Sequence, residues 1–288
     1  MLNTNVLTNK GTQRLIFTDL DGTLLDHNTY RHDAATVLLD KLNQIGIPVI
    51  PISSKTFAEI LPLREKINNQ HPFITENGAG IYIPKGYFEN YDGNNNHSTA
   101  QDFLTISASR PRATWLKMLT EQASDFTTEY QTFHALNKLE GPEAISRVSG
   151  LSIDQSVLAN QREFSETVVW LSTDSRKKAF IKVMSAAGAK VHQGGRFLSI
   201  TDQIDKGAAL KCLTSIYAQQ SNIKSCETLA IGDGNNDISM LEIADSALII
   251  RSPHHRPPVL KRTEKVSTSL KNGPEGWVAG VTRWLQTF

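Results

Sequence analysis

The 288-residue sequence predicts an α/β protein, a doubly wound parallel-sheet core with an inserted α/β unit, on the strength of three observations. Apolar runs at 15–18, 47–52 and 228–232 each end in residues that carry chemistry. Segments with helical spacing separate those runs. After Pro84 the pattern changes, and from 112 to 210 the chain continues as helix and strand material before the core-like stretch that starts near Lys206.

Leu15-Ile16-Phe17-Thr18 reads as a short buried strand, and Gly22 lets the chain turn sharply after it. Asp19 and Asp21 therefore stand at a strand's carboxyl end, where open α/β sheets bind ligands. Two like charges this close repel unless a cation lies between them, so a hard ion such as Mg²⁺ is their natural partner. With it, one carboxylate is suited to attack phosphorus and its neighbour to move protons. A strand followed by a plain Asp-Gly turn is the competing reading.

Residues 33–45 carry apolar positions at helical spacing and stop at Gly46, and the strand 47–52 follows at once. This βαβ unit makes the two strands parallel and brings Asp19 and Ser53 to one edge. A second helix is expected at 57–68. In the next stretch Asn77-Gly78 lies between apolar runs, a hairpin signal that leaves Glu76 and Asn77 either facing the site or serving the turn alone. Within the insertion, 92–97 reads as a polar loop, 115–124 and 175–187 as helices and 167–171 as a strand. The core resumes near Lys206 and ends in a helix through Trp277, Val281 and Trp284.

The run 228–232 repeats the design of the first strand: glycines, then Asp233 and Asp237, then a helix packed through Ile238, Leu241 and Ile243. An EF-hand loop would need a glycine at Ile238 and a bidentate Glu at Ala244. Asp233 and Asp237 therefore read as further Mg²⁺ ligands or as carboxylates holding its waters.

A formal charge of +1 with 20% charged residues provides no electrostatic case for nucleic acid or an anionic membrane. No apolar run approaches a membrane span, and 1–13 is polar without a signal-peptide core, so a cytoplasmic location is expected. Cys212 and Cys226 form neither a CxxC pair nor a disulfide framework.

Asp19-Leu20-Asp21-Gly22-Thr23 and Gly232-Asp233-Gly234-Asn235-Asn236-Asp237 resemble the first and fourth motifs of the haloacid dehalogenase-like phosphohydrolases. Ser53, or Ser54 in the neighbouring register, matches the second motif and Lys206 the third. The resemblance implies a Mg²⁺-dependent phosphomonoesterase with a first core part at 12–85, an inserted α/β cap at 86–200 and a second core part at 201–288. In it Asp19 is the nucleophile, Asp21 the acid and base, Ser53 and Lys206 steady the phosphoryl oxygens, and Asp19, Asp21, Asp233 and Asp237 serve the metal. Ser53-Ser54-Lys55-Thr56 and the stretches 161–166, 193–197 and 272–277 further resemble mannosyl-3-phosphoglycerate phosphatases.

That narrower resemblance implies a phosphorylated glycosyl substrate bound by Ser54, Lys55, Glu76, Asn77, Arg162, Gly195, Arg196 and Asn236. A ligand with both carboxylate and phosphate needs cations, which Lys55, Arg162 and Arg196 can supply. A solvated role for either arginine and a plain turn at Gly194-Gly195 are the alternatives. Arg147, His27, His192, His254 and His255 read as structural or surface residues. Rival functions are a phosphatase of glucosyl-3-phosphoglycerate, sucrose phosphate or hexose phosphate, a sugar phosphomutase, and a non-enzymatic binding module. The last has no use for the second carboxylate at Asp21.

Overall fold

The computed structural model describes residues 11–89, 91, 102–194 and 196–287; the polar stretch 92–97 and Gly195 lie outside the described residues. The chain begins with β1 (Thr12–Thr18), α1 (Asp33–Gln44) and β2 (Val49–Pro51), then α2 (Phe57–Lys66) and the antiparallel strands β3 (Phe73–Thr75), β4 (Gly80–Pro84) and β5 (Phe103–Ser107). Next come α3 (Arg112–Gln122), β6 (Tyr130–Thr132), α4 (Phe133–Glu140), α5 (Pro142–Ser149), α6 (Ile153–Ala159), β7 (Glu166–Trp170), α7 (Asp174–Ala186), β8 (Lys190–Gly194) and β9 (Phe197–Thr201). The last segment holds α8 (Lys206–Ala218), β10 (Ser225–Gly232), α9 (Ile238–Ile243), β11 (Ser246–Arg251), β12 (Val266–Asn272) and α10 (Glu275–Leu285).

The central sheet is parallel throughout, in the order β12-β11-β10-β1-β2. The chain winds one way from β1 to β2 and the other way from β10 to β12, so the direction reverses between β1 and β10. Such a switch point opens a crevice at the strands' carboxyl ends. It explains why acidic stretches distant in sequence meet: Thr18 pairs with Ile231, and the Asp19 N–H donates to the Ile231 carbonyl at 2.8 Å.

Because β1 is covered on both faces, it reads as an unbroken apolar run. Ile16 packs toward α1 and α10 with Leu38, Leu42, Trp277 and Val281, while Leu15 and Phe17 pack toward α8 and α9 with Leu213 and Met240. The strand starts earlier than its apolar run because Thr12 already pairs with Ser225. Arg14 is buried there, held by Glu227 at 3.1 Å and stacked on Trp284.

Strand β5 lies within the stretch 86–200 and pairs with β4, so the hairpin becomes a three-stranded sheet next to β2. The antiparallel sheet β6-β7-β9-β8 stands apart with its own packing. One face carries Val168, Leu198 and Ile200 against Trp115, Phe180 and Met184; part of the other packs Val169 and Phe197 on Phe133 and Leu136. Its two connections to the rest of the chain run side by side. Ser109 Oγ lies 3.2 Å from Thr201 Oγ1, and the Arg110 backbone and guanidinium both donate to Asp202. Among the described residues no helix is long and apolar enough to cross a membrane.

The stretch 272–277 buttresses the β1 turn. A Cβ at Gly273 would lie 2.2 Å from the Thr23 carbonyl, so only glycine permits this approach. The buried Trp277 donates from Nε1 to Thr18 Oγ1 at 3.0 Å, and Thr18 Oγ1 donates in turn to the Asp19 carbonyl at 2.8 Å. Trp277→Ala should destabilise the fold by about 3–5 kcal/mol. Trp277→Phe, which keeps the ring but loses the hydrogen bond, should cost less. Urea unfolding measures both, and a loss under about 1 kcal/mol for the alanine variant would remove Trp277 from this supporting role.

Candidate active site

Lys206 opens α8, whose N-cap Asp205 accepts a hydrogen bond from the Ala208 N–H. The lysine is fully buried, and its Nζ donates to Asp19 Oδ1 at 2.5 Å and to Asp237 Oδ1 at 2.6 Å. Asp237 Oδ2 accepts the backbone N–H groups of Asp233 and Gly234 at 3.0 and 2.9 Å. Both Asp237 oxygens are thus engaged by the protein.

Carboxylate oxygens of Asp19, Asp233 and Asp237 lie within 4.8 Å of one another. Three carboxylates against one ammonium leave negative charge in excess in a buried place. Burial raises the Asp19 carboxyl well above its ordinary range; Lys206 opposes this, and Asp237, Asp233 and Asp21 add to it. Asp233 is likewise pushed up, by burial and then by Asp237. Burial would lower the Lys206 ammonium, but Asp19 and Asp237 outweigh it and hold the group above its usual value. This unbalanced all-oxygen donor set fits a hard divalent cation. Gly22, at φ +78°, keeps the turn clear for it: a Cβ there would sit 2.7 Å from Asp233 Oδ2.

Asp21 stands at the rim. Its Oδ2 pairs with Lys55 Nζ at 3.0 Å, while Oδ1 is buried without a hydrogen-bond partner among the described residues. Lys55 also faces Glu59 at 3.9 Å and the Tyr30 ring. Burial works against its charge, but Asp21 and Glu59 more than compensate and raise its pKa. A cavity of about 220 Å³ opens beside this pair, lined by Asp21, Ser54, Lys55, Asn77, Arg162, Arg196 and Asn236 among others.

The two serines of the second strand separate. Ser53 is buried and its Oγ accepts from the Lys55 N–H, whereas Ser54 lines the cavity. Asn77 lines it too, in the left-handed region at φ +59°, and accepts from Asn236 Nδ2 at 3.4 Å. Glu76 is not brought to the cavity. Its buried carboxylate turns under the segment 163–165, accepting the Glu163 N–H at 2.8 Å and Ser165 Oγ at 2.5 Å, with Arg162 at 3.7 Å. Arg162 is itself engaged, donating to Ser165 Oγ and the Ser54 carbonyl. Arg196 remains exposed at the cavity, with one guanidinium nitrogen on the Ser149 carbonyl.

Sequence reasoning assigned no role at the site to four histidines that the fold brings near it. His255 is exposed and places Nε2 3.1 Å from Asp233 Oδ2, and the His27 and His254 rings lie tilted against each other, their centroids 4.2 Å apart. His192 lines the cavity with Tyr30 and Glu59. Nothing local marks these residues, since the fold alone brings them in.

A family model described as haloacid dehalogenase-like hydrolase matches residues 16–270. The chain belongs to this family. Among relatives of this haloacid dehalogenase-like protein, a glucosyl-3-phosphoglycerate/mannosyl-3-phosphoglycerate phosphatase of Methanococcoides burtonii is 34% identical over 271 residues, covering 92% of this chain and 94% of that one. A haloalkanoate-superfamily phosphatase of Bacteroides thetaiotaomicron superposes with a TM-score of 0.65 at 17% identity over 98% of each chain. A protein of Thermotoga maritima superposes with a TM-score of 0.64 at 19% identity, covering 94% of this chain and 97% of that one. These two likenesses show the shared fold.

The Glu76–Arg162 pair has a testable consequence. Arg162→Met strands a buried carboxylate and should cost about 3–5 kcal/mol. Burial already raises the folded-state pKa of Glu76, with Arg162 pulling against it, so the variant raises it further. A carboxyl with a raised folded pKa destabilises the fold when ionised. The penalty is full above that folded value and fades as pH falls toward the unfolded value of about 4.3. Urea midpoints should therefore show a larger deficit at pH 8 than at pH 5. Equal deficits would mean that Glu76 is not the group left unpaired.

Proposed function

We propose that this chain is a Mg²⁺-dependent phosphomonoesterase whose substrate is glucosyl- or mannosyl-3-phosphoglycerate. The observation that carries the chemistry is the buried Lys206 bridging Asp19 and Asp237 beside Asp233, with Asp21 at the mouth of a cavity. The substrate class is supported by the 34% identity to a phosphatase of that specificity over nearly all of both chains.

Asp19 Oδ1 is tied to Lys206, which leaves Oδ2 free of hydrogen bonds among the described residues to act as nucleophile. It attacks phosphorus in line. The bond from phosphorus to the ester oxygen breaks and an aspartyl phosphate forms. Asp21 gives its proton to the leaving oxygen, then takes one from the water that attacks the same phosphorus and frees Asp19. Lys55 pairs with the Asp21 carboxylate once its proton has gone to the leaving oxygen, and Lys206 and Ser53 steady the phosphoryl group. Asp19, Asp233 and the Asp21 backbone carbonyl would hold Mg²⁺ with Asp237 in support. When bound, the ion supplies charge neutralisation at the transferring phosphoryl oxygens. The part of the insertion that stands apart, from 112 to 201, acts as a cap that selects the leaving group and excludes water, with Arg196 suited to grip a carboxylate.

Phosphate release from a panel of glucosyl- and mannosyl-3-phosphoglycerate, 3-phosphoglycerate, sucrose phosphate and hexose phosphates tests the reading. Turnover should be highest on the glycosyl phosphoglycerates and vanish on chelation. Asp19→Asn should lower kcat by about a thousandfold or more; a loss within about tenfold would overturn the nucleophile assignment.

Asp21→Asn separates the proton-transfer role. In kcat/KM, which ends at leaving-group departure and so excludes the water step, it should harm a substrate with an alkoxide leaving group far more than nitrophenyl phosphate, whose leaving group needs no proton. Equal losses on both would mean that another group is the acid.

A further inference from the structure

Thr167 and Ser199 are direct cross-strand partners on β7 and β9, and His192 is the partner of Ser199 on β8. Directly opposed residues in antiparallel strands point to the same face, so the three form one row across the sheet. The alternate positions Val168, Leu198 and Ile200 belong to the opposite, packed face. All three members of the row line the cavity above Asp21.

The hydroxyls of Thr167 and Ser199 are buried and have no hydrogen-bond partner among the described residues, and Thr167 is only 5% exposed. A shielded hydroxyl without a partner is destabilising, and two side by side at one register position need a reason. Apolar residues would serve a purely structural face better, as Val169 and Phe197 do further along it. Since His192 Nε2 lies 3.3 Å from the Ile204 carbonyl, that nitrogen is the donor and Nδ1 the acceptor of a neutral ring. Burial, with Lys190 second, pushes the imidazole pKa down to about 4, which keeps it neutral.

We infer that Thr167, Ser199 and His192 form a binding row for the hydroxyls of an uncharged glycosyl group on the leaving side of the substrate. Each group is small and neutral, and together they donate and accept, as sugar hydroxyls do. The charged parts of the ligand belong with Lys55 and Arg196, which lie elsewhere on the cavity wall. This identification of the occupant rests on the phosphomonoesterase reading above. A site built to pair with hydroxyls also discriminates strongly against a ligand lacking them, because its own groups then stay unpaired.

The test is calorimetric titration of the full chain with phosphate-free mannosylglycerate, glucosylglycerate and glycerate, for wild type, Thr167→Val, Ser199→Ala and the double variant. Each single change should weaken glycosylglycerate binding by about tenfold relative to glycerate. The melting temperature should stay level or rise, since each variant removes an unpartnered hydroxyl. Failure of wild type to bind either glycosylglycerate, unchanged binding in the double variant, or weaker binding with a lowered melting temperature would each overturn the inference. Phosphate release by the wild type, run in parallel, judges the phosphatase reading separately. Release with unchanged binding in the variants removes the row and leaves the phosphatase. Binding that is lost in the variants, in a protein that releases no phosphate, does the reverse.

Discussion

Lys206 is fully buried, and an ammonium in such a place persists only because Asp19 and Asp237 flank it. That bridge has geometric consequences well beyond its three residues. It ties the first turn of α8 to the ends of β1 and β10, which are already adjacent at the switch point. Asp237 is oriented by two backbone N–H groups, Asp19 by the Trp277–Thr18 relay, and Asp233 by His255. The carboxylates of Asp237 and Asp233 thus each have a further protein partner, while Asp19 is fixed through its backbone carbonyl. The arrangement still carries more negative than positive charge, which makes it a receptor for cations rather than a neutral structural knot.

Much of this was legible because local patterns encode it. An apolar run buried on both faces, followed at once by Asp-x-Asp-Gly, marks both the strand and its ligand end, and residues 228–237 repeat the logic. The parallel order of β1 and β2 follows from the intervening helix. What was not legible depends on long-range contacts. His255 reaches Asp233 only because the chain after β11 folds back, and no local spacing signals that. The early start of β1 comes from pairing with Ser225, which rescues polar residues that look like a tail. Helices α4 to α6 are short, and their apolar positions serve a small separate cluster around Phe133 and Ile145, so the periodicity has little length in which to register.

The cations singled out by charge alone prove to have different tasks. Arg162 sits beside the buried Glu76 and binds the segment 163–165 to the turn after β3, while Lys55 holds Asp21 and Arg196 stays exposed at the cavity. A residue's type says that it can meet an anion. Only the fold decides whether that anion comes from the protein or from solution. Glu76 makes the same point in reverse, as a carboxylate near the site whose hydrogen bonds are all to the protein.

The paired connections at Ser109 and Asp202 bear on how such a molecule arises. The chain leaves toward the four-stranded sheet and returns through one stapled neck, so everything from 112 to 201 is topologically a long excursion between two touching points. Lengthening a loop whose ends already meet adds little closure entropy, since that term grows only logarithmically with length. A lineage can therefore enlarge, exchange or shed the excursion without rethreading the parallel sheet or disturbing the acidic cluster. In that sense the hydrogen bonds between Ser109, Arg110, Thr201 and Asp202 form a seam along which one ancestral hydrolytic core can be fitted to new leaving groups.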